Sequence, residues 1–413
     1  MTSNMKLKKS ISFIFYFVFL TIVISAQTKP YVLLISFDGF RWDYPNRGIT
    51  PNIEKMRETG VSASSLQPSF PSKTFPNHYT IVTGDYIEHH GIITNHFTNP
   101  FTGEVYRLGD SVSVRQSKWY LGEPFWTTAE RQGIISASYF WPGSEQTLSY
   151  RHPTYFEKYD HYRPHKTSVN GVIKWLQLPY AKRPHFITLY FHDTDDYGHK
   201  YGPNSKEITT AIKSLDSVIG FIYQRLNSIG MKDSINVILV SDHGMTEISP
   251  KRVINIESIL KGYKYSSEAQ GPFMLIKPSK NNSDSVFNIL KRNEFHYKVY
   301  KKKNMPKYYH YSENAFIYPI ILVADLGWSL GTNKSIAKFK NHIMHGNHGY
   351  DNHQLDMHGV FIANGPNFKN GYRTGTVWNV DIYPLLCKIF NIEPASNIDG
   401  KIERIGFVLK DKN

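Results

Sequence analysis

Asp195 and His199 stand four residues apart in FHDTDDYGHKYGP, and Asp242, His243 and Gly244 are consecutive in VSDHGM. A carboxylate and an imidazole at that spacing, or adjacent and followed by a glycine that permits a sharp turn, can converge on one cation. More imidazole nitrogen lies in HGNHGYDNHQLDMHGVFIANGP, where His345, His348, His353 and His358 crowd a glycine-rich stretch; one of these four is expected to be a ligand, and His358 is assigned that place. Asp38 follows the first apolar run. Asp38, Asp195, His199, Asp242, His243 and His358 together supply three carboxylates and three imidazoles, a nitrogen and oxygen set without thiolate that suits hydrolytic zinc, with manganese second.

A nucleophile is available in PSFPSKTFPNHYTIVTGDYIEHHGIITN, where Thr74 precedes an apolar, helix-like run. A threonine there can simply cap the helix. Between two metal sites, the same hydroxyl can lose its proton and attack phosphorus. The single cysteine, Cys387, leaves no room for an intrachain disulfide and argues against thiolate chemistry.

These side chains need a scaffold that brings them to one edge. Tyr31 to Phe37 (YVLLISF), Phe186 to Phe191 and Asn236 to Val240 are short, continuous apolar runs that read as strands buried on both faces, each ending in an acidic or histidine-bearing segment. Helical patterns lie between them, at Pro51 to Gly60 behind Thr50 and at Ser205 to Ile229, with Ile208, Ile212, Leu215, Ile219 and Ile222 on one face. Strands alternating with helices imply an α/β fold with a mostly parallel sheet, which binds ligands beyond the carboxyl ends of its strands. From about Lys251 to Ile343 the chain turns lysine-rich, tyrosine-rich and irregular, and is expected to form an inserted smaller lobe.

The first 26 residues read as a secretory signal: Lys6, Lys8 and Lys9 precede an apolar run from Ile11 to Ile24, and cleavage after Ala26 is expected, with an uncleaved anchor as the alternative. Residues 27–413 then form one catalytic domain, exported to the periplasm or the medium. Of 413 residues 40% are hydrophobic and 15% aromatic, enough for a large core and contrary to disorder. The net charge of +14, or +11 without the three signal lysines, favours anionic substrates, polyanions or acidic surfaces. The basic residues are dispersed, which argues for a solvated surface and against a nucleic-acid stripe.

The order of Asp38, SKTFPNH, HGIITN, FWPGSE, D-x-x-x-H-x-x-G-P, SDHGM and DMHGVF resembles the ectonucleotide pyrophosphatase/phosphodiesterases, members of the alkaline phosphatase superfamily. That resemblance implies an alkaline-phosphatase-like fold and two Zn2+ ions, one on Asp195, His199 and His358, the other on Asp38, Asp242, His243 and the Thr74 hydroxyl. It further implies that Thr74 forms a covalent intermediate, that the Asn95 amide and the Phe75 backbone amide hold a non-bridging oxygen, and that Phe75 and Tyr159 stack on a base. Trp141 and Tyr190 look like further pocket walls. The expected substrate is a phosphate diester or pyrophosphate, above all a nucleotide, cleaved to a nucleoside 5′-monophosphate.

This chain departs from the family at two informative places. Most relatives read E-E-P-D where it has His192-Asp193-Thr194-Asp195, which makes Asp193 a competitor of Asp195, and the usual lysine after Asn95 is His96. Phosphomonoesterases and phosphonate or choline-lipid esterases share the two-metal core and form the alternative reading. A silent binding protein is disfavoured because all the ligands and the nucleophile are present.

Overall fold

The computed structural model describes residues 29–411, so the expected signal segment lies outside the described residues. Eight strands form the principal sheet: β1 (Tyr31–Phe37), β2 (Val61–Ala63), β3 (Ser136–Tyr139), β4 (Tyr155–Glu157), β5 (Phe186–Phe191), β6 (Ile235–Val240), β7 (Phe361–Asn364) and β8 (Tyr372–Thr374). Their spatial order is β8-β2-β7-β6-β1-β5-β3-β4. β1 pairs in parallel with both β5 and β6, whereas β7 runs antiparallel to its neighbours β6 and β2.

The three central strands are apolar but for one polar residue each, Ser36, Thr188 and Asn236, because both faces are covered. Leu33, Ile35 and Phe37 of β1 enter one core, and Val32 and Leu34 enter the other, the two-residue alternation of an extended chain. The first core includes Ile208, Ile212, Leu215, Ile219, Ile222 and Leu226 of the helix Lys206–Ser228, whose N-terminus is capped by Ser205 Oγ accepting from the Ile208 amide. Each of these buried side chains stabilises the fold by about 1.5–3 kcal/mol relative to exposure. That apolar packing offsets the polar groups gathered at the strand ends.

The stretch expected to be irregular contains a second sheet. Tyr265–Glu268, Phe273–Pro278, Ile320–Ala324 and Tyr297–Lys301 lie side by side, all antiparallel. With the helix Ser283–Arg292 they enclose a core that includes Met274, Ile276, Val286, Leu290 and Leu322. Among the described residues, no helix is long and apolar enough to cross a membrane.

Candidate active site

β1, β5 and β6 all end at one edge of the sheet, and each delivers carboxylates there. Asp38 follows β1 directly. Gly39 turns the chain at φ +64°, and a Cβ on it would stand 3.0 Å from the Asp195 Cα, so only glycine lets these two segments approach so closely. Asp195 lies on the helix Asp193–Tyr201, and His199 follows it one turn later on the same face. Asp242 and His243 follow β6. Because β7 is reversed, the segment before it, not the one after it, returns to this edge and brings His348.

His348 takes the place in which His358 was expected. Its Nε2 lies 3.1 Å from His199 Nε2 and 3.4 Å from Asp195 Oδ1, which is itself 3.4 Å from His199 Nε2. The Nδ1 of His199 donates to the Gly346 carbonyl at 2.9 Å, and the Nδ1 of His348 donates to the Ser72 carbonyl at 2.7 Å. Both facing Nε2 atoms therefore present lone pairs, an arrangement that repels unless a cation lies between them. His358 is not brought to this cluster: its Nδ1 accepts from Ser65 Oγ at 2.8 Å and its Nε2 donates to the Asn352 carbonyl at 3.0 Å, so both nitrogens are consumed in the core. Asp193 also stands apart, accepting from His165 Nε2 at 2.8 Å.

A second cluster adjoins the first. His243 Nδ1 donates to the Gly244 carbonyl at 2.8 Å, and its Nε2 lies 3.0 Å from Asp242 Oδ2, 3.3 Å from Asp38 Oδ1 and 3.3 Å from Thr74 Oγ1. The rings of His243 and His348 are stacked, 3.5 Å between centroids. Asp38 Oδ1, Asp195 Oδ1 and Asp242 Oδ2 are buried without a hydrogen-bond partner, a costly state for ionised oxygen that divalent cations relieve. Burial, with Asp242 and Asp195 close by, holds the Asp38 carboxyl well above the ordinary range. Burial would also raise Asp242, but the imidazoles of His243 and His78 outweigh it and hold that carboxyl low. The donor set, its burial and its orphaned oxygens fit two metal ions.

Thr74 is the first residue of the helix Thr74–Thr83, with Lys73 at the cap position. Its carbonyl accepts from His78 Nδ1 at 2.9 Å, and His78 Nε2 is 2.8 Å from Ser36 Oγ on β1, so the helix start is tied to the sheet. His78 gave no signal in the sequence beyond its place in the SKTFPNH motif. Burial lowers the Lys73 ammonium to about 8 against the pull of Asp195, and its Nζ lies 3.3 Å from Asn347 Oδ1.

Around Thr74 the expected substrate contacts are rearranged. The Phe75 amide, expected to face a phosphoryl oxygen, donates to Asn95 Oδ1 at 3.0 Å, which leaves the Asn95 NH2 as the donor on that side. The Phe75 ring meets Tyr106 at 6.3 Å between centroids. Tyr159 is half exposed and packs edge-on against Phe140 and Tyr190. Tyr190 is buried and donates to Asp38 Oδ2 at 2.6 Å. Trp141, expected as a pocket wall, lies in the core with its Nε1 donating to the His78 carbonyl at 3.1 Å. His96 pairs with Glu268 at 3.2 Å and so joins the hairpin beyond Asn95 to the smaller sheet.

Comparison with known proteins follows the same lines. Residues 32–351 match the family described as type I phosphodiesterase/nucleotide pyrophosphatase. The chain is 36% identical over 385 residues to human ectonucleotide pyrophosphatase/phosphodiesterase family member 5, covering 92% of this chain and 79% of that protein. It is 36% identical over 373 residues to the Xenopus laevis bis(5′-adenosyl)-triphosphatase enpp4, covering 90% and 80%. The solved structure of human ectonucleotide pyrophosphatase/phosphodiesterase 5 superposes with a TM-score of 0.87 at 35% identity, over 92% of this chain and all of that one. An inactive form of its murine counterpart, in complex with AMP, gives 0.87 at 32% identity over the same shares. The α/β architecture is alkaline-phosphatase-like, and with the match extending through β1, β5, β6 and His348, the chain belongs to the type I phosphodiesterase/nucleotide pyrophosphatase family.

Proposed function

We propose that this phosphodiesterase is exported and cleaves nucleotide diesters or pyrophosphates to nucleoside 5′-monophosphates, using Thr74 as a covalent nucleophile between two zinc ions. Asp38, Asp242, His243 and the Thr74 hydroxyl would hold one ion, and Asp195, His199 and His348 the other. The facing lone pairs of His199 and His348, each ring fixed by a backbone carbonyl, carry this reading most directly. When bound, two such ions lower the pKa of a hydroxyl and neutralise phosphoryl charge.

The protein's own groups supply the rest. Thr74 Oγ1, held at the helix start 3.3 Å from His243 Nε2, bonds to phosphorus as the ester or anhydride oxygen leaves with its electron pair. Water then breaks the phosphothreonine bond, restoring the hydroxyl, and two inversions retain configuration at phosphorus. The Asn95 NH2 is positioned to donate to a non-bridging oxygen as charge develops there. Tyr159 offers a half-exposed ring face for a base, and Phe75 flanks the nucleophile. Tyr190 holds Asp38 in register.

The test compares thymidine 5′-p-nitrophenyl phosphate with p-nitrophenyl phosphate, using zinc-loaded and chelated protein. A strong, zinc-dependent preference for the diester is expected. A monoester preference would move the chain to phosphatase chemistry, and equal rates with and without chelator would overturn the metal assignment.

A further inference from the structure

A third group of ligand atoms lies outside both clusters. His161 Nε2 is 3.3 Å from Asp196 Oδ2, and His192 Nδ1 is 2.8 Å from the same oxygen. The two imidazoles are stacked, 3.9 Å between centroids and 21° between planes. One nitrogen of each ring has a partner elsewhere: His192 Nε2 donates to the His161 carbonyl at 3.0 Å, and His161 Nδ1 is 2.9 Å from Tyr159 Oη. That pattern of an outer hydrogen bond on one nitrogen, turning the other toward a carboxylate, is how histidine ligands are oriented for metals. It repeats what His199 and His348 do in the main site.

The three residues come from two segments. Asp196 is on the helix that carries Asp195 and His199 and His192 caps it, whereas His161 belongs to the irregular stretch after β4 that carries Tyr159. His161 and Asp196 are exposed and His192 is half-buried, so a cation here keeps positions open to solvent. His192 stands at the first position of the E-E-P-D pattern, which marks the site as this chain's own.

We propose that His161, His192 and Asp196 form a third, weaker site for a borderline divalent cation of the zinc class, which ties the Tyr159 segment to the Asp195 helix. Two imidazoles and one carboxylate match the three-ligand open sites of such ions. Water or an anionic oxygen of a bound molecule completes the coordination. With the cation in place, the half-exposed Tyr159 ring is held at a fixed height against Phe140 and Tyr190.

The experiment counts bound zinc. Wild-type protein, a His161→Ala/His192→Ala variant and an Asp196→Asn variant are dialysed to equilibrium against buffered free Zn2+ from about 10 nM to about 100 µM, and bound metal is measured by mass spectrometry. Wild type is expected to gain about one equivalent more than either variant, at higher free zinc than the tight ions require. Equal counts in all three proteins overturn the proposal and leave a His192–Asp196 ion pair. Should the double variant fail to fold, Asp196→Asn carries the comparison. Failure of the two-zinc reading would remove the tight ions from all three proteins alike, without touching the difference between them.

Discussion

Tyr190 Oη donates to Asp38 Oδ2 at 2.6 Å, so a residue expected to line the substrate pocket instead fixes a carboxylate whose other oxygen, Oδ1, has no protein partner. Losing that hydrogen bond frees Asp38 to rotate. Outer-shell changes of this type typically cost about 10- to 100-fold in metal affinity or activity. Tyr190→Phe is therefore expected to lower kcat and weaken zinc retention together while leaving KM for a nucleotide within about threefold. A rise in KM with kcat unchanged would return Tyr190 to the role of pocket wall.

His348 and His358 separate cleanly by mutation. His348→Ala should lose about one equivalent of bound metal and nearly all turnover. His358→Ala should keep its metal, but leave Ser65 Oγ and the Asn352 carbonyl short of a partner, at about 1–3 kcal/mol of stability. Metal counting alongside thermal melting reads both, and metal loss in the His358 variant would reverse the assignment.

Thr74→Ala should reduce diester turnover by roughly 10^3-fold or more. No nucleotidyl adduct should appear by intact mass after rapid quench, although a nucleotide should still bind. Turnover within tenfold of wild type would mean that water attacks phosphorus directly.

His90 makes the fold acid-sensitive. It is fully buried, with Nε2 3.0 Å from Thr80 Oγ1 and Nδ1 accepting the Ile92 amide at 3.3 Å, and burial pushes it down to about 3. An unfolded chain takes up that proton near 6.5, so stability is complete above about pH 6.5 and falls as pH drops toward the folded value, by at most ~1.4 kcal/mol per unit. His358, lowered by burial to about 4, adds in the same direction. Denaturation at pH 6.5 and pH 5 should show His90→Gln losing about 1.5 kcal/mol less than wild type over that interval. An identical loss in both proteins would contradict this origin.

The sequence alone carries Asp38, Asp195, His199, Asp242, His243 and Thr74 to the right edge because each follows a short apolar strand or opens a helix, and local patterning reports both. His348 was not separable from His345, His353 and His358 on that basis. Four histidines in one glycine-rich stretch have the same local chemistry, and which one joins Asp195 and His199 depends on a distant hydrogen bond to the Ser72 carbonyl. The smaller sheet was obscured differently: FMLIKP and IILVA are ordinary strand sequences, but the lysines and tyrosines around them mask the apolar alternation. Tyr190 and Trp141 show the limit for aromatics, since ring type says nothing about whether a ring meets solvent, a carboxylate or the core.

The reversal of β7 also sets an order of events during synthesis. The ribosome delivers β1, β5 and β6 first, and these can pair while later residues are still being made, as N-terminal parts generally fold before the chain is complete. Such an intermediate has Thr74 and Asp242 but not His348, which arrives only when the chain doubles back to lay β7 antiparallel against β6. One histidine of the centre is thus withheld until most of the polypeptide has emerged, and until then the cluster begun by Asp195 and His199 stays open on the side that His348 will close.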